Sequence, residues 1–323
     1  MKNANWAVKY RPDSFEGVVG QDSVVKAVKK IAELKNVPAI LLCGQSGVGK
    51  TTLLRIYGKS IVGSNSGLDF LEIDAAASGN VEKMRELERW CESLPQVGEY
   101  KMVVIDEVHA LTREAGTVLL SMVEEPNSFV RFGFATTDPN KVLPTVLGRS
   151  MVFPLKRIPA GEVISKLNFI ANNEGVSFPE DVIAEVGYVS GGQLRNAIRL
   201  LQQLSYLDNP SKSDVRRFVG LPAEICEDEF LSLVFKGDID GLSEYCNVIY
   251  EQGSDVASFA KSLVLYLDRV VSDRFKSGLI DAETSTYLKW MQSLIGLYKE
   301  AHDYPALAPS VLRAWCAKIL GII

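Results

Sequence analysis

Short apolar runs alternate with stretches of helical spacing through the first half of the chain. Apolar runs fall at 39–43, 70–73, 102–106, 132–136 and 151–155. Their length and their polar or glycine boundaries predict strands. Between them, 50–60 and 81–94 repeat apolar residues at helical steps, and Met84, Leu87, Trp90 and Cys91 mark the second stretch. Strand and helix in alternation predict a five-stranded parallel sheet with helices on both faces. The strand signal stops after Leu155, and Pro159 and Gly161 mark a boundary. Only helical patterns follow, at 162–173, 179–189, 193–207 and 212–219. A second break, Gly220-Leu221-Pro222, precedes a longer helical region that runs to Ile323. The predicted organisation is an α/β domain over 1–157, a small helical domain over 158–221 and an all-α domain over 222–323. No internal repeat or low-complexity tract interrupts it.

The first strand runs into Gly44-Gln45-Ser46-Gly47-Val48-Gly49-Lys50-Thr51, followed by Thr52 and a helix. This is a complete P-loop in the context that the motif requires. Its glycines let consecutive N–H groups turn toward a phosphate, and the following helix adds its positive end. Lys50 is placed to neutralise the β and γ phosphates, and the Thr51 hydroxyl to ligate Mg²⁺.

The third predicted strand, Met102 to Asp106, delivers two carboxylates to its C-terminal end, Asp106 and Glu107. Ligands bind at that edge of an open α/β sheet. Asp106 is expected to hold the Mg²⁺ shell through water, and Glu107 to orient and activate an attacking water. The pair of motifs predicts a nucleoside triphosphatase.

A longer series of motifs narrows this. Val8-Lys9-Tyr10-Arg11-Pro12, Phe15 and Val18-Val19-Gly20-Gln21 precede the P-loop. Glu72-Ile-Asp-Ala-Ala76, Asp106-Glu-Val-His109, Glu124-Glu-Pro126 and Ala135-Thr-Thr-Asp-Pro139 follow in order. The series resembles the ATPase subunits of DNA sliding-clamp loaders, an AAA+ family, over about residues 6–220. The resemblance implies an AAA+ fold with a helical lid and an oligomerising C-terminal collar. It also implies ATP and Mg²⁺ as ligands. The expected activity is ATP hydrolysis that opens a sliding clamp and loads it on primer–template DNA. The expected partners are that clamp, the DNA and other loader subunits in a pentameric assembly.

Residue roles carry over position by position. Val8, Lys9, Tyr10, Arg11, Val18 and Val19 match the adenine side of the site. Thr137 matches sensor 1, which contacts the γ-phosphate or the water, although a strand-end Thr satisfied by its neighbours reads the same way. Arg195, in Gly191-Gly-Gln-Leu-Arg195, matches the sensor-2 arginine, which ties domain closure to the nucleotide. Arg149 matches the arginine finger that acts in trans on a neighbouring subunit's ATP, with Gly148 and Ser150 in place of the family's usual flanks. Ser78, Gly79, Asn80, Lys83 and Arg85 are candidate DNA contacts, as are Thr112 and Arg113. A solvated charged face is the alternative. Met84, Leu87 and Trp90 are candidate clamp contacts, although such a stripe is ordinarily core packing. The bacterial family's cysteine-ligated zinc module is replaced at 61–67 by a Gly/Ser loop. No zinc is expected there, and the compact form resembles phage loaders and archaeal or eukaryotic small subunits.

Bulk properties change the picture little. Lys and Arg total 35 against 40 for Asp and Glu, a net charge of −5. This excludes a chain that coats nucleic acid over its whole surface but allows a local basic strip. Cys43, Cys91, Cys226, Cys246 and Cys316 form no CxxC pair and read as core thiols. Met1 to Glu16 does not read as a signal peptide, and the apolar stretch from Val311 is too short to span a bilayer, so a bacterial or host cytoplasm is expected. Within that stretch Val311, Leu312, Trp315, Ile319 and Leu320 form a stripe that needs a partner surface or an internal one. Two other functions fit the nucleotide motifs: a branch-migration or recombination motor, and a non-catalytic loader scaffold. The loader-type Glu124-Glu-Pro126 and Ala135–Pro139 runs weigh against the first. The complete set Gly44, Lys50, Thr51, Asp106 and Glu107 weighs against the second.

Overall fold

The structure is a computed structural model that describes residues 5–63, 67–221, 227–251 and 255–321. Pro222 and Cys226 lie outside the described residues, as does the middle of the 61–67 loop. The chain divides into two compact units, one of residues 1–177 and 190–202, the other of 178–189 and 203–323. Residues 158–221, expected as one helical lid, contribute to both.

The first unit begins with α1 (Trp6–Lys9) and α2 (Asp22–Leu34). Then β1 (Ala39–Cys43), α3 (Lys50–Val62), β2 (Phe70–Asp74), α4 (Ala75–Ser78), α5 (Val81–Glu92) and β3 (Lys101–Asp106) follow. After these come α6 (Arg113–Glu124), β4 (Val130–Thr136), α7 (Pro144–Arg149), β5 (Met151–Pro154) and α8 (Ala160–Glu174). The strands form one parallel sheet, as predicted, and their order is β2-β3-β4-β1-β5.

The central strands β3, β4 and β1 are covered on both faces and read as mostly apolar runs, whereas the edge strands β2 and β5 are more exposed. Successive side chains point to opposite faces. Ala39 and Leu41 of β1 enter a core with Val103, Ile105, Phe132 and Phe134, closed by Met84, Leu87, Leu119 and Val146 from α5, α6 and α7. Ile40 and Leu42 enter a second core with Met102, Val104 and Ala135, closed by Val28, Ile31, Leu53, Leu54 and Tyr57 from α2 and α3. Helix α3 lies so close to the sheet that a Cβ at Gly58 would come within 2.3 Å of the Phe70 ring.

Two charged residues extend the strands beyond the predicted bounds. Lys101 starts β3 and is fully buried. Its ammonium donates to the Trp90 carbonyl at 2.7 Å and to Ser93 Oγ at 2.6 Å, and lies 4.3 Å from the centre of the Trp90 ring. Arg131 in β4 donates to the Lys35 carbonyl through Nε and Nη2. Burial of charge at such low cost needs this many partners. The same corner holds Asp69, 1% exposed, whose carboxylate accepts the backbone N–H groups of Gln96, Val97 and Gly98 at 2.8, 2.8 and 3.1 Å.

The second unit contains α9 (Glu180–Val189), α11 (Lys212–Phe218), α12 (Glu227–Lys236), α13 (Ile239–Glu251), α14 (Val256–Lys276), α15 (Ala282–Asp303) and α16 (Ala308–Ile319). The intervening helix α10 (Leu194–Leu204) belongs mainly to the first unit. Phe230, Phe259, Leu263, Trp290, Leu294, Leu312 and Trp315 fill the second unit's core. Val311, Ile319 and Leu320 pack against it, so the α16 stripe finds an internal surface. Arg216 of α11 forms a bidentate pair with Glu227 of α12 at 2.9 and 3.1 Å and reaches Glu185 of α9 at 3.3 Å.

Burial alone would push the Asp69 carboxyl up, but the three backbone N–H groups and Lys101 outweigh it and hold it below the usual carboxylate range. A depressed folded-state value adds stability above the unfolded pKa, which is lost as pH falls through the folded one. Asp69→Asn is therefore expected to cost about 2 kcal/mol at neutral pH. The gap to wild type should close as pH drops below about 4. Urea denaturation across that pH range measures both.

Candidate nucleotide site

The P-loop leaves β1 through three glycines in the left-handed region, Gly44 (φ 152°), Gly47 (φ 79°) and Gly49 (φ 108°). At Gly44 there is no room for a side chain: a Cβ would lie 2.6 Å from the Leu155 carbonyl oxygen. Lys50 opens α3 and is 5% exposed. Its ammonium donates to the Gly44 and Gln45 carbonyls at 2.8 and 3.0 Å, which closes the loop around it. Burial pulls its pKa down, against the opposing pull of Glu107 and Asp106.

One residue further, Thr51 Oγ1 donates to Asp106 Oδ2 at 2.5 Å. This bond joins the first turn of α3 to the end of β3. The other Asp106 oxygen accepts the Glu107 N–H at 3.0 Å. A hydroxyl and a carboxylate side by side are the hard oxygen donors that suit Mg²⁺.

Glu107 has φ 48°, a left-handed conformation that is costly for a residue with a side chain. One of its oxygens, Oε2, accepts both Thr137 N–H and Thr137 Oγ1–H, at 3.0 and 2.9 Å. His109 Nδ1 lies 3.3 Å from the same oxygen and 2.9 Å from Thr136 Oγ1. A strained backbone thus aims Glu107 into a small polar network at the end of β4. Sequence reasoning assigned no role to His109 or Thr136. Their signal was only the motif in which each stands.

A pocket beside the P-loop is lined by Ala7, Tyr10, Arg11 and Pro12, by Val18 and Val19, by Gly47, Val48, Gly49 and Thr52, and by Ile158, Leu194, Arg195 and Ile198. It brings together Tyr10, Arg11, Val18, Val19 and Arg195 with the loop. Its walls are mostly apolar, which suits a nucleobase next to a phosphate cradle. A larger cleft of about 780 Å³ opens elsewhere, lined by Phe15, Lys29, Ile56 and Lys59 among others, away from the P-loop.

Of the residues expected on the adenine side, Val8 and Lys9 do not line this pocket. Val8 is 61% exposed, and the Lys9 ammonium donates to Glu174 at 2.6 Å. Both lie on the outer side of the one-turn helix α1. Gln45 and Ser46 are exposed at the loop's tip, where Gln45 Oε1 accepts Arg157 Nε–H at 3.0 Å. Arg149 ends α7 and is exposed, outside the pocket lining.

The candidate DNA residues cluster at two helix starts. Asn80 caps α5 by accepting the Lys83 N–H, and Thr112 caps α6 by accepting the Ala115 N–H. The Thr112 N–H donates to the Gly79 carbonyl, so the two starts are adjacent. Ser78 Oγ donates to the Asp74 carbonyl, and Lys83 pairs with Glu86. Arg85 and Arg113 are exposed. The candidate clamp residues fare differently. Met84 and Leu87 are 0% and 1% exposed in the sheet's core, and Trp90 packs against it under Lys101. Met84 and Leu87 are therefore core packing, while Trp90 is partly buried at its edge.

The geometry has counterparts among known proteins. The family described as "DNA polymerase III, delta subunit" matches residues 63–159. The chain is 32% identical to the Replication factor C small subunit of Aeropyrum pernix, over 72% of each chain. It is 32% identical to the DNA polymerase III subunit gamma of Buchnera aphidicola, over 71% of this chain and 67% of that one. The match to the gamma/tau subunit of Mycoplasma genitalium, 28% identical, spans only 47% of that protein's length. Among solved structures, the Thermotoga maritima RuvB Holliday junction branch migration motor superposes with a TM-score of 0.54 at 19% identity, over 73% of this chain and 85% of that one. At that identity the likeness is one of fold.

Thr137→Ala removes the hydroxyl that holds Glu107. It is expected to lower kcat for nucleoside triphosphate hydrolysis by at least about tenfold with little change in KM. Thr137→Ser should keep most of the rate. Steady-state kinetics on the three proteins separates these outcomes.

Proposed function

The chain belongs to the clamp-loader ATPase family of replication factor C small subunits and DNA polymerase III gamma subunits, and from that premise we propose that it hydrolyses ATP to open a sliding clamp and load it on primer–template DNA. The observation that carries this is the joined set of Lys50, Thr51, Asp106 and Glu107 at one sheet edge, beside an apolar pocket.

In this reading the base sits among Tyr10, Val18, Val19 and Ile198, and the phosphates lie on the P-loop amides. Lys50 turns from the loop carbonyls to the phosphate oxygens. Thr51 and Asp106 would hold Mg²⁺, which neutralises charge on the β and γ phosphates. Glu107 takes a proton from a water as its oxygen attacks the γ-phosphorus, and the bond to the β-phosphate oxygen breaks to leave ADP and phosphate. Thr137 keeps the carboxylate aimed at that water. Arg195 binds the γ-phosphate from α10. Arg149 of a neighbouring subunit completes the site in trans, which its exposed place at the end of α7 permits.

DNA enters through the adjacent starts of α5 and α6. Two helix N-termini, with Arg85 and Arg113 exposed near them, present N–H groups and cations to backbone phosphates, which position a duplex without reading its sequence. Residues 222–323, helical where described, serve as the collar that holds this chain among other loader subunits. Among the described residues, no helix is long and apolar enough to cross a membrane.

ATP turnover by the assembled complex should rise with primer–template DNA and rise again with the clamp. Arg113→Ala should reduce the salt slope of the DNA-dependent rate by about one phosphate contact. Stimulation by branched DNA, indifferent to the clamp, would instead identify a motor, and no turnover in any mixture would identify a scaffold.

A further inference from the structure

Three of the pocket's walls are fixed by regular structure. The P-loop wall hangs between β1 and α3. Leu194, Arg195 and Ile198 stand on α10. Val18 and Val19 are held through Gln21, whose amide donates to the Lys156 carbonyl at 2.7 Å while its oxygen accepts the Lys156 N–H at 3.2 Å. The fourth wall has no such support. Ala7, Tyr10 and Arg11 come from α1 and its C-terminal edge, a helix of four residues, far too short to be stable alone.

What holds α1 is a set of contacts to α8 and α10. The Trp6 N–H donates to Gln202 Oε1 at 2.9 Å. Lys9 Nζ and Tyr10 Oη both donate to Glu174 Oε1, each at 2.6 Å. The Tyr10 ring meets Phe169 edge-on, with centroids 6.4 Å apart. Glu174 is the last residue of α8, where the helix end disfavours a negative charge. The Lys9 ammonium and the Tyr10 hydroxyl offset this and draw its carboxyl below the usual range.

We infer that Glu174 is a positioning residue for the nucleotide: one of its carboxylate oxygens fixes Lys9 and Tyr10, and through them the wall of the pocket that the four-residue α1 supplies. The inference rests on the proposed ATP site. Glu174 belongs to none of the family motifs and lies outside the pocket lining, so it acts through Lys9 and Tyr10. Without it α1 samples positions in which that wall is missing. Apparent affinity then falls in proportion to the fraction of chains in which the wall is in place. Turnover of bound nucleotide depends on Lys50, Asp106 and Glu107, which Glu174 does not touch.

The test is equilibrium binding of ATP, with steady-state kinetics, on the full chain as wild type, Glu174→Ala, Glu174→Gln, Tyr10→Phe and the Tyr10→Phe/Glu174→Ala double variant. If the wall is in place in about one chain in ten without the carboxylate, Glu174→Ala weakens ATP binding about tenfold, with KM rising and kcat within about twofold of wild type. Glu174→Gln, which still accepts hydrogen bonds, should lose less. Because the bond that Tyr10→Phe removes is one of the two that Glu174→Ala removes, the double variant should bind ATP no more weakly than Glu174→Ala. Wild-type affinity in both folded Glu174 variants, or losses that add fully, would overturn the inference while leaving the ATP site intact. Wild-type protein that binds no ATP would overturn the ATP site itself, and the inference with it.

Discussion

The nucleotide site depends on a parallel sheet whose central strands are buried on both faces. All five strands run the same way, so all their carboxyl ends open on one edge. That edge is where the P-loop, the Asp106–Glu107 pair and Thr137 arrive, from β1, β3 and β4. None of these groups is near another in sequence. The Thr51–Asp106 hydrogen bond is the stitch between them. It fixes the start of α3, and with it the P-loop that leads into it, against the end of β3.

Local preferences are overridden at this edge and obeyed elsewhere. Lys50 is buried, Glu107 is left-handed and Gly44 is pressed against the backbone of the β5 exit. Each is unfavourable by itself, and each places a donor or acceptor where a phosphate or a water would stand. Such concentrated exceptions in an otherwise consistent fold are the expected mark of a functional site. The buried Lys101–Asp69 corner is a useful contrast. It also buries charge, but every donor and acceptor there is spent on the protein's own backbone and side chains, so it stabilises and offers nothing to a ligand.

Much of this was legible in the sequence, because apolar runs and glycine spacing are local signals. The five strands, the P-loop and the carboxylates at the end of β3 follow from pattern alone. Strand starts at Lys101 and Val130 were hidden, since a lysine reads as surface until its partners are known. The stripe Met84, Leu87, Trp90 could not be divided between core and surface by periodicity, and the fold assigns Met84 and Leu87 to the core with Trp90 at its edge. The α16 stripe is internal for the same kind of reason: its partners, on α12 to α15, are distant in sequence. Val8 and Lys9 share a motif with Tyr10 and Arg11, but a single helical turn sends them outward. Glu174 carried no signal, because its importance comes only from what α1 places against it.

The most direct test of the account is a calorimetric titration of the full chain with ATP and Mg²⁺, beside a Lys50→Ala variant shown to be folded by circular dichroism. Saturable, Mg²⁺-dependent binding at a single site in the wild type, lost in Lys50→Ala, is the result that the account predicts. Equal binding by the two proteins, or no binding by the wild type, would contradict it.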